Sequence, residues 1–161
     1  MNLFWDSSAI LSVVFSESKS PQAIQAWDAG EYAYAWHWLK IETASALARR
    51  SANPSQWTHL QKMLGMFRFL KLPETNFDDL CATNRRWRLT AADAGHLFCF
   101  QQASFVLPDL QLVCFDEEMA CVARKEGFHL WTPPEEGSAT PALVRETRSS
   151  YSRKSKRTAR V

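Results

Sequence analysis

The chain has 161 residues, 46% of them hydrophobic and 22% charged, with four cysteines and a formal net charge of +2. That is the size and apolar content of one soluble domain with a sizeable core. The longest apolar runs are short and broken by charge, and Met1-Asn2-Leu3-Phe4-Trp5-Asp6 lacks the basic start and apolar core of a signal peptide, so the chain is expected to stay in the cytosol with no membrane span.

Asn2 to Trp5 reads as a first strand, and Ser7 to about Phe15 as a helix that begins just past Asp6. Pro21 opens a second helix through Gln22–Trp27, which Gly30 stops. In Glu31–Trp36 aromatics alternate with alanines, which suits a strand. Trp38 to Arg50 is rich in helix formers and ends before Asn53-Pro54. Beyond it Trp57, Leu60, Met63, Leu64, Phe67 and Leu70 recur at helical spacing, predicting one long amphipathic helix that Pro73 breaks. Phe77 to Arg88 is a second amphipathic stretch. Thr90 with Asp93 three residues later marks another helix start, Thr90 being the cap. A strand over Gln111–Phe115, a helix over Glu117–Lys125 ended by Gly127, and a last strand over Phe128–Trp131 complete a domain of residues 1–131. This alternation predicts a three-layer α/β/α fold around a mainly parallel sheet.

From Thr132 the composition shifts to Pro133-Pro134-Glu135-Glu136-Gly137-Ser138, a linker signal. Residues 145–161 hold seven of the 19 basic residues and one of the 17 acidic ones, so a mildly acidic body carries a cationic tail. Without apolar periodicity the tail is expected to be disordered when free, and Arg153, Lys154, Lys156, Arg157 and Arg160 can hold the phosphates of an RNA or simply keep the chain soluble. The four cysteines (Cys81, Cys99, Cys114, Cys121) form no C-x-x-C pair and fall in apolar stretches, which reads as reduced core residues. His37, His59, His96 and His129 show no metal-ligand spacing. The seven tryptophans read as core and interface.

Four acids stand in contexts that carry chemistry. Asp6 and Asp116 each follow an apolar strand and precede a helix. In open parallel sheets ligands sit outside the carboxyl ends of strands, so two acids placed there converge on one crevice although far apart in sequence. Each is also an ordinary helix cap. Glu42 lies inside a helix with Trp38, Ser45 and Ala46 as one-turn neighbours, a mixed aromatic and small face rather than a charged one. A carboxylate buried there needs a cation or hydrogen-bond donors. Asp93, in the first turn after Thr90, also answers the helix dipole. Convergent carboxylates are what a hard cation such as Mg²⁺ requires.

The residues around these acids resemble the motifs of PIN-domain ribonucleases, especially the VapC-like toxins, over about residues 2–131. Asp6-Ser7-Ser8-Ala9-Ile10-Leu11 is similar to the first motif and Ile41-Glu42-Thr43-Ala44-Ser45-Ala46-Leu47 to the helical glutamate motif. Ala92-Asp93-Ala94-Gly95-His96-Leu97 is similar to the third, and Leu112-Val113-Cys114-Phe115-Asp116-Glu117-Glu118-Met119-Ala120 to the fourth. The resemblance implies that Asp6, Glu42, Asp93 and Asp116 meet at one sheet edge, bind Mg²⁺ or Mn²⁺ and cleave RNA, with the Ser7 hydroxyl orienting a ligand or water. It also implies a toxin restrained by an antitoxin protein. Glu117 and Glu118 leave the fourth motif ambiguous, exposed positions on a first helical turn being the simpler reading. His96 is left a structural residue, and Gly95 is expected to allow close packing.

Three other readings stand beside this one. A PIN-like RNA-binding or scaffold module would keep the fold without the chemistry, although all four acids remain. An aspartyl-phosphate phosphatase also uses an acid after its first strand but needs a second Asp two residues later, where this chain has Ser8. A pure interaction protein would explain the tail and long helices but not Glu42. The apolar stripe Trp57, Met63, Met66, Phe67 and Phe69 suits a groove for a partner peptide, a homodimer contact, or plain core.

Overall fold

The computed structural model describes residues 1–134. The basic tail, with Arg153, Lys154, Lys156, Arg157 and Arg160, lies outside the described residues. In chain order the elements are β1 (Asn2–Trp5), α1 (Ser7–Val14), α2 (Ser20–Ala29), β2 (Tyr32–Trp36), α3 (Leu39–Arg49), α4 (Pro54–Leu64), β3 (Arg68–Leu70), a single 3₁₀ turn (Glu74–Asn76), α5 (Phe77–Trp87), α6 (Ala91–Ser104), β4 (Leu110–Val113) and α7 (Glu117–Lys125).

The strands form one parallel sheet in the order β3-β2-β1-β4. Parallel neighbours need crossovers, and the intervening helices supply them on both faces. Side chains alternate along β1, so Leu3 and Trp5 enter one core with residues of α1 to α4 while Phe4 enters a second with residues of α5 to α7. The expected three layers are therefore present. In the first core Trp5 packs edge-on against Trp27 and Phe67 at centroid distances of 5.5 and 6.1 Å. The chain steps from β1 outward to β2 and β3, then returns to the other side of β1 for β4. That reversal opens the crevice between the carboxyl ends of β1 and β4.

Several elements differ from the sequence expectation. The long helix after Pro54 stops at Leu64, with Gly65 as its C-cap, and Arg68–Leu70 leaves helical geometry to pair with β2 through Tyr34↔Arg68 and Trp36↔Leu70. Phe67 and Leu70 fall at helical spacing by coincidence. Of the apolar stripe there, Met63 and Phe67 are buried in the first core, Trp57 and Phe69 pack against it, and Met66 is exposed. Most of that stripe is thus core. The last expected strand is reduced to one bridge, Leu112↔Leu130, flanked by hydrogen bonds from Leu112 N to His129 O and from Trp131 N to Leu112 O. Cys99 is buried as expected, but Cys81 and Cys121 are exposed because they lie on the outward faces of α5 and α7. Trp38 is likewise exposed. Among the described residues no helix is long and apolar enough to cross a membrane.

Candidate active site

Asp6 stands at the end of β1, and its backbone amide donates to Val113 O at 3.0 Å, fixing it beside the end of β4. Its carboxylate caps α1. Oδ2 accepts from the Ser8 amide at 2.9 Å and from the Ser8 hydroxyl at 2.5 Å. The same hydroxyl accepts from the Phe115 amide at 2.9 Å, so one side chain ties the loop after β1 to the loop after β4. Asp116 caps α7 by accepting from the Met119 amide at 2.7 Å. Both strand-end acids are therefore helix caps, a role worth about 1 kcal/mol each. Capping does not exhaust them. Asp6 is only 2% exposed, and its Oδ1 is buried with no hydrogen-bond partner.

The helix-borne acids arrive differently. The Thr90 side chain caps α6 at the Asp93 amide, 3.3 Å away, and its hydroxyl donates to Asp93 Oδ2 at 2.6 Å. Burial raises the Asp93 pKa. The Thr90 hydrogen bond works against that shift, and the charges of Asp6, Asp116 and Glu42 add to it. The Asp93 carboxyl thus shares its field with all three other acids. Glu42 projects from the first turn of α3. Its Oε2 is hydrogen bonded to Nε2 of His96, a residue with no exposed surface.

His96 lies one turn beyond Asp93 on α6, and its Nδ1 comes within 4.0 Å of Asp6 Oδ1. Burial works to lower its pKa, but the hydrogen bond to Glu42 and the charges of Asp6, Glu42 and Asp93 outweigh burial and raise it above the usual value. In sequence His96 reads as a structural residue. The fold instead seats it against two of the four acids.

A cleft of about 290 Å³ opens over this edge, lined by Asp6, Ser7, Ser8, Asp93, Phe115 and Asp116 among others, with Lys19 and Arg50 also on its walls. Glu42 is not among its lining residues and joins the group through His96. Ser7, expected to orient a ligand, lines the cleft, but the hydroxyl bonded to Asp6 belongs to Ser8. Glu117 and Glu118 are exposed, as first-turn positions should be. Cys114 Sγ lies 4.0 Å from Asp6 Oδ2, and burial together with the Asp6 charge pushes its thiol well above the ordinary range, so it stays neutral. Among the described residues no three acid, histidine or cysteine side chains form a ready metal cage. Each of the four acids has turned one oxygen toward a protein donor instead.

This architecture is a VapC-like PIN-domain fold. Two solved structures are similar to it. One is PAE2754 from Pyrobaculum aerophilum, 20% identical, with a TM-score of 0.57 over 76% of this chain and 86% of that one. The other is VapC20 of Mycobacterium tuberculosis, described as a sarcin-ricin loop cleaving toxin, 16% identical, with a TM-score of 0.58 over 82% of this chain and 100% of that one. No protein-family model and no curated protein matches the chain.

Proposed function

We propose that this protein is a Mg²⁺- or Mn²⁺-dependent endoribonuclease and the toxin of a toxin–antitoxin pair. One observation carries the reading: Asp6, Asp93 and Asp116 line one cleft at the carboxyl ends of β1 and β4, and Asp6 Oδ1 is buried there without a hydrogen-bond partner. Carboxylates gathered this way repel one another, and an all-oxygen donor set suits a small hard cation. A divalent ion held there would supply an activated water and neutralise charge on a phosphodiester.

The chain's own residues would do the rest. Asp6, Glu42, Asp93 and Asp116 are the residues that would hold the ion. The Ser8 hydroxyl and amide hold Asp6 Oδ2 and leave Oδ1 without a hydrogen bond. The cleft between Asp6, Asp93 and Asp116 would receive the phosphate, and Lys19 on its wall offers positive charge to the RNA backbone, Arg50 being paired there with Glu17. Likeness in fold to a toxin that cleaves the sarcin-ricin loop supports RNA as substrate and an antitoxin protein as restraining partner.

The test is cleavage of a structured RNA by the purified chain. Cleavage should require Mg²⁺ or Mn²⁺ and stop on addition of EDTA. Full cleavage in chelator would overturn the metal mechanism, and no cleavage of any RNA with either metal would overturn the ribonuclease.

A further inference from the structure

We propose that His96 is a positioning residue which holds the Glu42 carboxylate at the acid cluster, and that the missing side chain of Gly95 makes room for the ring that fixes it. The inference rests on the metal-binding reading above and extends it to a residue outside the four acids.

An imidazole with no exposed surface is costly unless its nitrogens have partners. In an apolar core such a histidine would be expected to bond to a backbone carbonyl. Here Nε2 is bonded to Glu42 Oε2, while Nδ1 makes no hydrogen bond and stands 4.0 Å from the equally unpartnered Oδ1 of Asp6. The ring is therefore tied to α3 by a hydrogen bond and faces the β1–α1 junction, two elements that supply acids independently. It sits behind the cluster and does not line the cleft. That makes it a support rather than a ligand.

Glu42 needs such a support more than the others do. Asp6 and Asp116 are short and fixed by backbone amides, and Asp93 is fixed by Thr90, whereas a glutamate side chain has three rotatable bonds and is 20% exposed here. Restricting it costs rotamer freedom. A hydrogen bond that restricts it before the ion arrives removes that cost from binding, as outer-sphere partners of metal ligands do.

The support is itself held in place. Trp36, at the end of β2, meets the His96 ring edge-on at 5.3 Å and 86°. It can do so because Gly95 has no side chain: a Cβ there would overlap Cζ3 and Cη2 of Trp36. Trp38 stacks on the outer side of Trp36 at 5.8 Å. Glycine is unfavourable in a helix interior relative to alanine, and the close packing of Trp36 is what requires it here.

The experiment is Mn²⁺ titration of the full chain by calorimetry for the wild type, His96→Leu, His96→Gln, His96→Asn, Glu42→Gln and the double variant His96→Leu/Glu42→Gln. His96→Leu should weaken Mn²⁺ binding by about 10- to 100-fold. His96→Gln, whose amide nitrogen reaches close to the Nε2 position, should recover most of that loss, and the shorter His96→Asn should not. In the Glu42→Gln background His96→Leu should add nothing, because the support acts only through Glu42. Equal affinity for the wild type and His96→Leu, or the same loss in both backgrounds, overturns the proposal. Should His96→Leu fail to fold, equal affinities of the Gln and Asn variants overturn it. A wild-type protein that binds no Mn²⁺ overturns the metal reading as well, whereas normal wild-type binding with unaffected His96 variants removes only the positioning role.

Discussion

The loops after β1 and β4 and the helices α3 and α6 bring carboxylates to the same sheet edge by different means. Asp6 and Asp116 are set by backbone amides at helix starts, so the fold itself fixes them. Glu42 and Asp93 are set by other side chains, His96 and Thr90. A carboxylate has two oxygens, so one can cap a helix while the other serves the cluster, as Asp6 does. The loop acids are therefore secured by architecture and the helix acids by a second set of residues. Damage at the helix acids should spread to more positions.

The largest effects should come from removing charge at constant shape. Asp6→Asn, Glu42→Gln, Asp93→Asn and Asp116→Asn should each keep the fold and lower the RNA cleavage rate by more than the roughly 100-fold that follows removal of an outer-sphere partner. A normal rate in any one of them removes that residue from the site. Gly95→Ala should come next. Overpacking against Trp36 costs about 1–3 kcal/mol, against at most about 1 kcal/mol gained in helix propensity. Thermal melts should therefore show a net loss, and a stabilised variant would mean that Trp36 moves aside freely.

Smaller, and confined to the helix side, is a dependence on pH. The folded pKa values of His96 and Asp93 both lie above their ordinary values of 6.5 and 3.8. The stability each contributes is present in full below that ordinary value and is lost as pH rises through the folded one. The groups facing His96 are Asp6 at the β1–α1 junction, Glu42 on α3 and Asp93 on α6. In chelator, the wild-type melting temperature should therefore fall relative to that of His96→Gln as pH rises above 6.5. A constant difference would show that His96 carries no extra proton in the folded chain.

The smallest effect belongs to the tail, whose basic residues stand apart in sequence from both pairs of acids. Removing residues 145–161 should weaken RNA affinity most at low salt and flatten its logarithmic salt dependence by about 0.7 for each phosphate that the tail neutralises. Cleavage at saturating RNA should be unchanged. Identical affinity and slope would make the tail a solvated extension.

Legibility in the sequence follows the same division. The loop acids are legible because a strand, an acid and a helix start are adjacent in sequence, and α7 matches its predicted bounds for that reason. Thr90 is legible as a cap by the same local logic. His96 is not, because its partner Glu42 lies 54 residues away and only the packing of α6 against β2, the strand just before α3, brings them together. Ser7 stands out in sequence ahead of Ser8 because motif position does not tell which hydroxyl turns toward Asp6. The edge strand β3 is hidden because three residues are too few to display a period of two, and its pairing with β2 overrides the helical spacing that precedes it.

That the four acids form one cation site is tested most directly by thermal melts of the wild type and of Asp6→Asn, Glu42→Gln, Asp93→Asn and Asp116→Asn, each in chelator and in saturating Mn²⁺. In chelator Asp93→Asn and Asp116→Asn should melt at or above the wild-type temperature, since repulsion is relieved, whereas Glu42→Gln and Asp6→Asn also remove charge that faces the buried His96 and should gain less. With Mn²⁺ the wild type should gain several degrees and each variant much less. The same Mn²⁺ shift in all five proteins, or none in the wild type, would contradict a shared site.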